Sequence, residues 1–257
     1  MSSPAALAAL QDRIRHIERG EGLRHGVLPF GLAAIDRALP GGGLARGALH
    51  ELHGAGADEE DGAAAAGFAA GIAGRLGPGL VLWCLKRGDL YGTGLAEHGL
   101  DPAQIVTVRA ARDDDILWAL EEGLRAPGVA AVIAEVARLP MVAGRRLQLA
   151  AERSGVTALL LRRWHTGDEA AVERARPSAA LTRWRIAALP SEPTGEPGIG
   201  VPRWRVELLR CRGGKAAAWI MEAADATGLV SLSAGLADRP AAPQRLVAER
   251  EPWRAAG

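Results

Sequence analysis

Between His50 and Gly67 the chain reads HELHGAGADEEDGAAAAG. An apolar-containing run, Ala48 to Leu52, is followed by a glycine-spaced turn from Gly54 and then by an Ala-rich stretch, Ala63 to Ala73, of strong helix propensity. Strand, glycine turn and helix is the order of a phosphate-binding loop. The residues that bind phosphate are missing. If Gly54 opens G-x-x-x-x-G-K-[ST], the last three places hold Glu59, Glu60 and Asp61; if Gly56 opens it, they hold Asp61, Gly62 and Ala63. Neither register supplies the lysine or a magnesium-binding hydroxyl. A carboxylate about 6 Å from a phosphate charge repels it by roughly 3 kcal/mol at an effective dielectric of about 20, where a lysine would attract it as strongly. Asp58, Glu59, Glu60 and Asp61 would stack that penalty. The same four residues also suit the first turn of a helix, whose positive end they complement. Either way the loop framed by Gly54, Gly56 and Gly62 has no phosphate site.

Other clusters are weaker candidates for chemistry. Asp113, Asp114 and Asp115 supply helix N-caps more readily than a metal site, because adjacent side chains on a helix point in different directions. Cys84 and Cys211 lie in apolar or alternating runs without repeated spacing or histidine partners, and read as buried thiols in a reducing compartment. No metal and no cofactor is expected. Arginines crowd the stretch from Arg145 to Arg185, and three tryptophans stand beside them: Arg162-Arg163-Trp164, Arg183-Trp184-Arg185 and Arg203-Trp204-Arg205. Arginine with an exposed aromatic can follow a phosphate backbone and stack a base, so single-stranded DNA is one reading. A protein interface is another, since Trp and Arg are frequent anchors. A third is structural: edge strands with Trp inward and Arg solvated.

The elements that must position these residues alternate. Candidate strands are Ala48 to Leu52, Leu80 to Lys86, Ile105 to Arg109, Val129 to Val136 and Val156 to Trp164, with helices at Gly62 to Leu76, Asp113 to Arg125 and Pro140 to Arg153. LVLWCL, VAAVIAEV and VTALLL are nearly continuous apolar runs, as in strands covered on both faces. The alternation predicts an α/β fold with a mainly parallel central sheet and helices on both faces. Beyond Trp164, residues 183 to 189 and 203 to 223 alternate as an antiparallel extension, the second run turning at Gly213-Gly214. SEPTGEPGIGVP, between them, is too rich in Pro and Gly for regular structure.

Residues 1–22 contain an amphipathic helix candidate with Leu7, Leu10, Ile14 and Ile17 at helical spacing, and residues 237–257 read as a mobile tail with an apolar cluster of Leu246, Val247 and Trp253 suited to a partner. The 257 residues suffice for a sizeable core, and a formal charge of +1 neither drives the chain onto nucleic acid nor forbids it. No leader pattern and no membrane-length apolar run is present, so a cytoplasmic location is expected.

FGLAAIDRALPGGGLARGALHELHG, residues 30 to 54, resembles the opening of a RecA/RadA recombinase core, and GLAEHGLDPAQIVTV, residues 94 to 108, resembles the part that follows. With the degenerate loop and the Arg-Trp motifs, the chain is similar to the ImuA family of RecA-like proteins over residues 23 to 236. The resemblance implies a RecA-like core without an ATPase site. It implies an accessory role in SOS-induced translesion synthesis and mutagenesis, beside an ImuB-like, Y-family-polymerase-like protein and an error-prone DnaE-type polymerase. Contacts with a RecA filament or single-stranded DNA, and association with the nucleoid under DNA damage, belong to the same expectation. A DNA-dependent ATPase and a DNA-binding protein using the Arg/Trp surface alone are the alternatives. Of the residues of an active site, the resemblance leaves only Glu135, in VIAEV, as a strand-end carboxylate set to pair with an arginine.

Overall fold

A computed structural model describes residues 23–191 and 200–232. A small antiparallel pair, β1 (Val27–Leu28) and β2 (Leu44–Ala45), brackets the short helix α1 (Ala33–Asp36) and leads into β3 (Leu49–Gly54). The chain then alternates through α2 (Asp58–Gly74), β4 (Leu80–Leu85), α3 (Gly92–Ala96), β5 (Ile105–Arg109), α4 (Asp113–Gly123), β6 (Val129–Val136), α5 (Met141–Ser154), β7 (Thr157–Arg162) and α6 (Gly167–Ala175). It closes with β8 (Thr182–Leu189), β9 (Arg203–Cys211), β10 (Ala217–Glu222) and β11 (Ser231–Leu232).

Nine strands form one sheet in the order β11-β10-β9-β8-β3-β7-β6-β4-β5. The six from β8 to β5 run parallel, while β9, β10 and β11 add on antiparallel. This is the architecture of a RecA-like core with an antiparallel C-terminal extension. β3 lies between β7 and β8, so the loop leaving it opens at the middle of the sheet's carboxyl edge, where α/β folds place their ligand crevices.

Successive strand residues point to opposite faces, and both faces are covered. On one, Phe68 and Ile72 of α2 pack with Leu52, Trp83, Leu161, Trp184 and Trp204; the Phe68 ring lies 5.7 Å from that of Trp184 and 6.2 Å from that of Trp204. On the other, Ile116 and Leu120 of α4 and Leu147 of α5 pack with Leu49, Val132, Ala134 and Leu160. That double cover explains the continuous apolar runs of β4, β6 and β7. Helix α2 is itself enclosed: a Cβ at Gly74 would stand 2.0 Å from the Gly99 carbonyl oxygen, so only glycine fits there.

Several expectations need correction. β8 and β9 are interior strands, not edges, and the ends of the sheet are β5 and β11. Helix α2 begins at Asp58 rather than Gly62, so the acidic run forms its first turn. Asp113 to Asp115 do not cap α4, whose N-cap is Arg112 without a side-chain bond; Asp113 instead accepts from Lys86 Nζ at 2.6 Å and from the Arg138 amide at 3.0 Å. The turn at Gly213-Gly214 is wider than two residues, because β9 ends at Cys211 and β10 starts at Ala217. Helix α6 was not foreseen, although Thr166 and Glu169 have capping-box spacing and the Thr166 hydroxyl accepts from the Glu169 amide at 3.2 Å. Cys84 is buried and Cys211 half-buried, both free, with burial pushing their thiols up to about 12 and about 11. No described helix is long and apolar enough to cross a membrane. The N-terminal stripe and the tail cluster Leu246, Val247 and Trp253 lie outside the described residues.

Candidate functional site

The loop after β3 is bound up with its own protein. The Ala55 amide donates to the Ile186 carbonyl at 2.8 Å and the Asp58 amide to the Trp164 carbonyl at 3.0 Å. The Gly56 amide donates to Asp61 Oδ2 at 2.7 Å, and Asp61 Oδ1 accepts from the Ala188 amide, also at 2.7 Å. Asp61, one of the places where a phosphate loop would carry Lys or Ser/Thr, is buried and turned inward as an acceptor held between the loop and β8. Glu59 and Glu60 stay exposed. Close approach explains the glycine spacing: a Cβ at Gly54 would stand 2.8 Å from the Asp61 Cβ, and one at Gly62 would stand 2.5 Å from Asp58 Oδ1.

Beside this loop, Arg163 leaves the end of β7 and gathers three carboxylates from three other elements. Its Nε lies 2.9 Å from both Asp58 oxygens, its Nη1 2.6 Å from Glu135 Oε2, and its Nη2 2.9 Å from Asp89 Oδ2. Trp83 Nε1 donates to the other Glu135 oxygen at 2.7 Å. Burial raises the pKa of Glu135 above the ordinary carboxylate range, against the pull of Arg163 and Trp83. Burial opposes the charge on Arg163 too, but its bonds to Asp58, Glu135 and Asp89 outweigh that and hold the guanidinium ionised. At the more exposed Asp89, burial is likewise outweighed by Arg163 and the pKa falls. A cavity of about 400 Å³ opens next to the cluster, walled by Asp58, Gly62, Leu95, His98, Glu135 and Arg163.

A second buried knot adjoins the first. Arg162, only 4% exposed at its side chain, bonds Glu51 at 3.0 Å and Glu173 at 3.0 Å. Arg183 shares Glu51 at 2.7 Å and donates to the Arg174 and Arg176 carbonyls. The Trp164 ring lies beneath Arg162 and Arg174, at 5.3 and 5.7 Å. The Arg-Trp motifs of β8 and β9 divide by side of the sheet, whereas Trp164 packs on the same side as Arg162. Trp164, Trp184 and Trp204 are 3%, 0% and 3% exposed, so base stacking on them is excluded in this conformation. Of the arginines, Arg162, Arg163 and Arg183 are tied into the two knots. Arg185 and Arg205 share Glu207 across β8 and β9, and Arg203 reaches the Pro190 carbonyl, on the sheet side opposite Trp184 and Trp204.

The chain is 43% identical over 207 residues to Protein ImuA of Caulobacter vibrioides, as known from strains NA1000 / CB15N and ATCC 19089 / CIP 103742 / CB 15, a match covering 78% of this chain and 84% of the relative. The chain belongs to the ImuA family. No protein-family model matches it.

In this member of the ImuA family, carboxylates at the sheet's carboxyl edge are paired with arginine. Among the described residues no group of three or more His, Cys, Asp or Glu side chains is arranged to hold a metal. The carboxylates that meet, Asp58, Asp89 and Glu135, converge on a guanidinium instead. Sequence reasoning anticipated an arginine for Glu135 but missed that Arg163 is that partner, and it missed Trp83 and Asp89 altogether. The acid at the end of LVLWCLKRGD was the available signal for Asp89.

Proposed function

We propose that this chain is a non-catalytic, RecA-like accessory factor in SOS-induced translesion DNA synthesis and mutagenesis, working with an ImuB-like protein and an error-prone DnaE-type polymerase. Membership of the ImuA family supports the damage-response role. The observation that carries the non-catalytic part is Asp61: it supplies from within the anion that a phosphate loop takes from a nucleotide, and it occupies the Gly56 amide. Phosphoryl transfer needs several groups positioned around phosphate and metal at once. Here those places hold carboxylates and Arg163.

One surface open to partners among the described residues is the outer side of the antiparallel extension, where Arg205 is 57% exposed at its side chain. Association there is the favoured reading. Direct binding of single-stranded DNA is the second, favoured by the row Arg185, Arg203 and Arg205 and readable as a steep salt dependence. Changing Arg203 and Arg205 to Glu is expected to leave the melting temperature within about 2 °C, since exposed ion pairs are worth about 1 kcal/mol or less. The same variant is expected to reduce recovery of the ImuB-like partner at least tenfold and to return damage-induced mutation to the level of a strain lacking the gene. A gene-deletion strain that mutates normally after damage would overturn the role itself; full partner recovery by the variant would move the interface elsewhere.

A further inference from the structure

Helices α4 and α5 lie side by side over one face of the sheet, and their outward surfaces are unlike. Trp118 of α4 is 64% exposed, and Val142 and Leu149 of α5 are 78% and 52% exposed. Around Trp118, at one-turn spacings, stand exposed Asp114, Asp115 and Glu122. Around Val142 and Leu149 stand exposed Arg145, Arg146 and Arg153. The inner contact between the helices already joins the two signs, with Arg146 Nε 2.5 Å from Glu121 Oε2. Asp115, Arg145 and Arg153 make no ion pair with another described residue. At the lower end of the groove a cavity of about 350 Å³ is lined by Arg125, Arg146, Leu149, Ala150, Arg153 and Ser154.

An acidic or a basic partner would satisfy one stripe and meet like charge on the other. A second copy related by a two-fold axis satisfies both, because α4 of each copy then faces α5 of the other. We propose that the chain forms a homodimer through this face, with the Trp118 indole of one copy seated against Leu149 and the adjoining cavity of its partner. An indole in a pocket ringed by charge is the usual anatomy of an interface anchor. The two helices, 11 and 14 residues long, give a face roughly 20 Å on a side. That is about 400 Å² per copy and about 800 Å² in total, below the standard size of specific interfaces and suited to a weak, reversible dimer.

The test is sedimentation velocity on the full chain from roughly 1 to 100 µM, spanning the micromolar dissociation constants expected of so small a face. Mass is expected to rise from 26.8 kDa toward twice that value. Arg145→Glu with Arg153→Glu should stay monomeric, as should Asp115→Lys with Glu122→Lys, each with an unchanged melting temperature. Mixing the two variants in equal amounts should restore the dimer, because each then presents what the other lacks. Trp118→Ala should weaken association at least tenfold. A monomeric wild type, a mixture that stays monomeric, or charge variants that dimerise like the wild type would each overturn the proposal. So would a monomer whose melting temperature drops on charge reversal, which would mean that the chain's own residues cover this face.

Discussion

Replacing Arg163 with Met is expected to destabilise the protein by about 3–5 kcal/mol, the usual cost of removing one partner from a buried ion cluster. Asp58 and Glu135 are only 6% and 4% exposed at their side chains and would lose the cation that holds them. For a domain of this size the melting temperature should fall by roughly 10 °C or more. Adding Glu135→Gln, which keeps an acceptor for Trp83 Nε1, should recover part of the loss because one stranded charge is removed. Thermal melts of the single and double variants decide the matter. A change below about 1 kcal/mol in the Arg163 variant would place that residue among ordinary surface arginines.

Acid should unfold the chain early, for a reason located in two residues of β3. His50 is wholly buried and its pKa is pushed down to about 4 by burial, with the Ala45 carbonyl opposing. His53 is also pushed down to about 4 by burial, opposed by its bond to the Gly54 carbonyl and helped by Arg174 and Arg183. Both folded values lie below the unfolded value of 6.5, so the unfolded chain binds more protons in the interval. Stability is therefore complete above about pH 6.5 and is lost as pH falls toward 4, by up to about 3 kcal/mol per pH unit for two protons. The raised pKa of Glu135 acts in the opposite sense, one group against two. Denaturant unfolding at a series of pH values should follow this slope, and His50→Gln with His53→Gln should flatten it. Equal stability at pH 7.5 and 5 in the wild type would contradict the assignment.

The parallel sheet was legible because burial on both faces writes itself as unbroken apolar runs, and β4, β6 and β7 fell where LVLWCL, VAAVIAEV and VTALLL stand. The sidedness of β8 and β9 was one of three readings left open, and Trp184 and Trp204 do point inward, while Arg183 on the other side is tied to buried Glu51. The interior position of the two strands was not legible, since alternation reports which way side chains point and says nothing of what pairs with the backbone. The two buried knots were out of reach for a similar reason. Arg162 meets Glu51 across 111 positions of sequence, and Arg163 meets Asp58 across 105. Local spacing cannot rank such pairings, so a run of arginines looked like one basic surface although Arg162, Arg163 and Arg183 are committed to buried carboxylates. Missing phosphate-binding residues were visible at once, but the use of Asp61 as an internal anion needed the geometry of Gly56 and Ala188.

That use of Asp61 is the centre of the account, and calorimetric titration of the full chain with ATP and magnesium tests it most directly. With the loop amides engaged by Asp61, Ile186 and Trp164, and with Arg163 committed to three carboxylates, no saturable heat is expected up to about 1 mM nucleotide. A micromolar affinity that disappears when residues Glu59 to Ala63 are changed would contradict it.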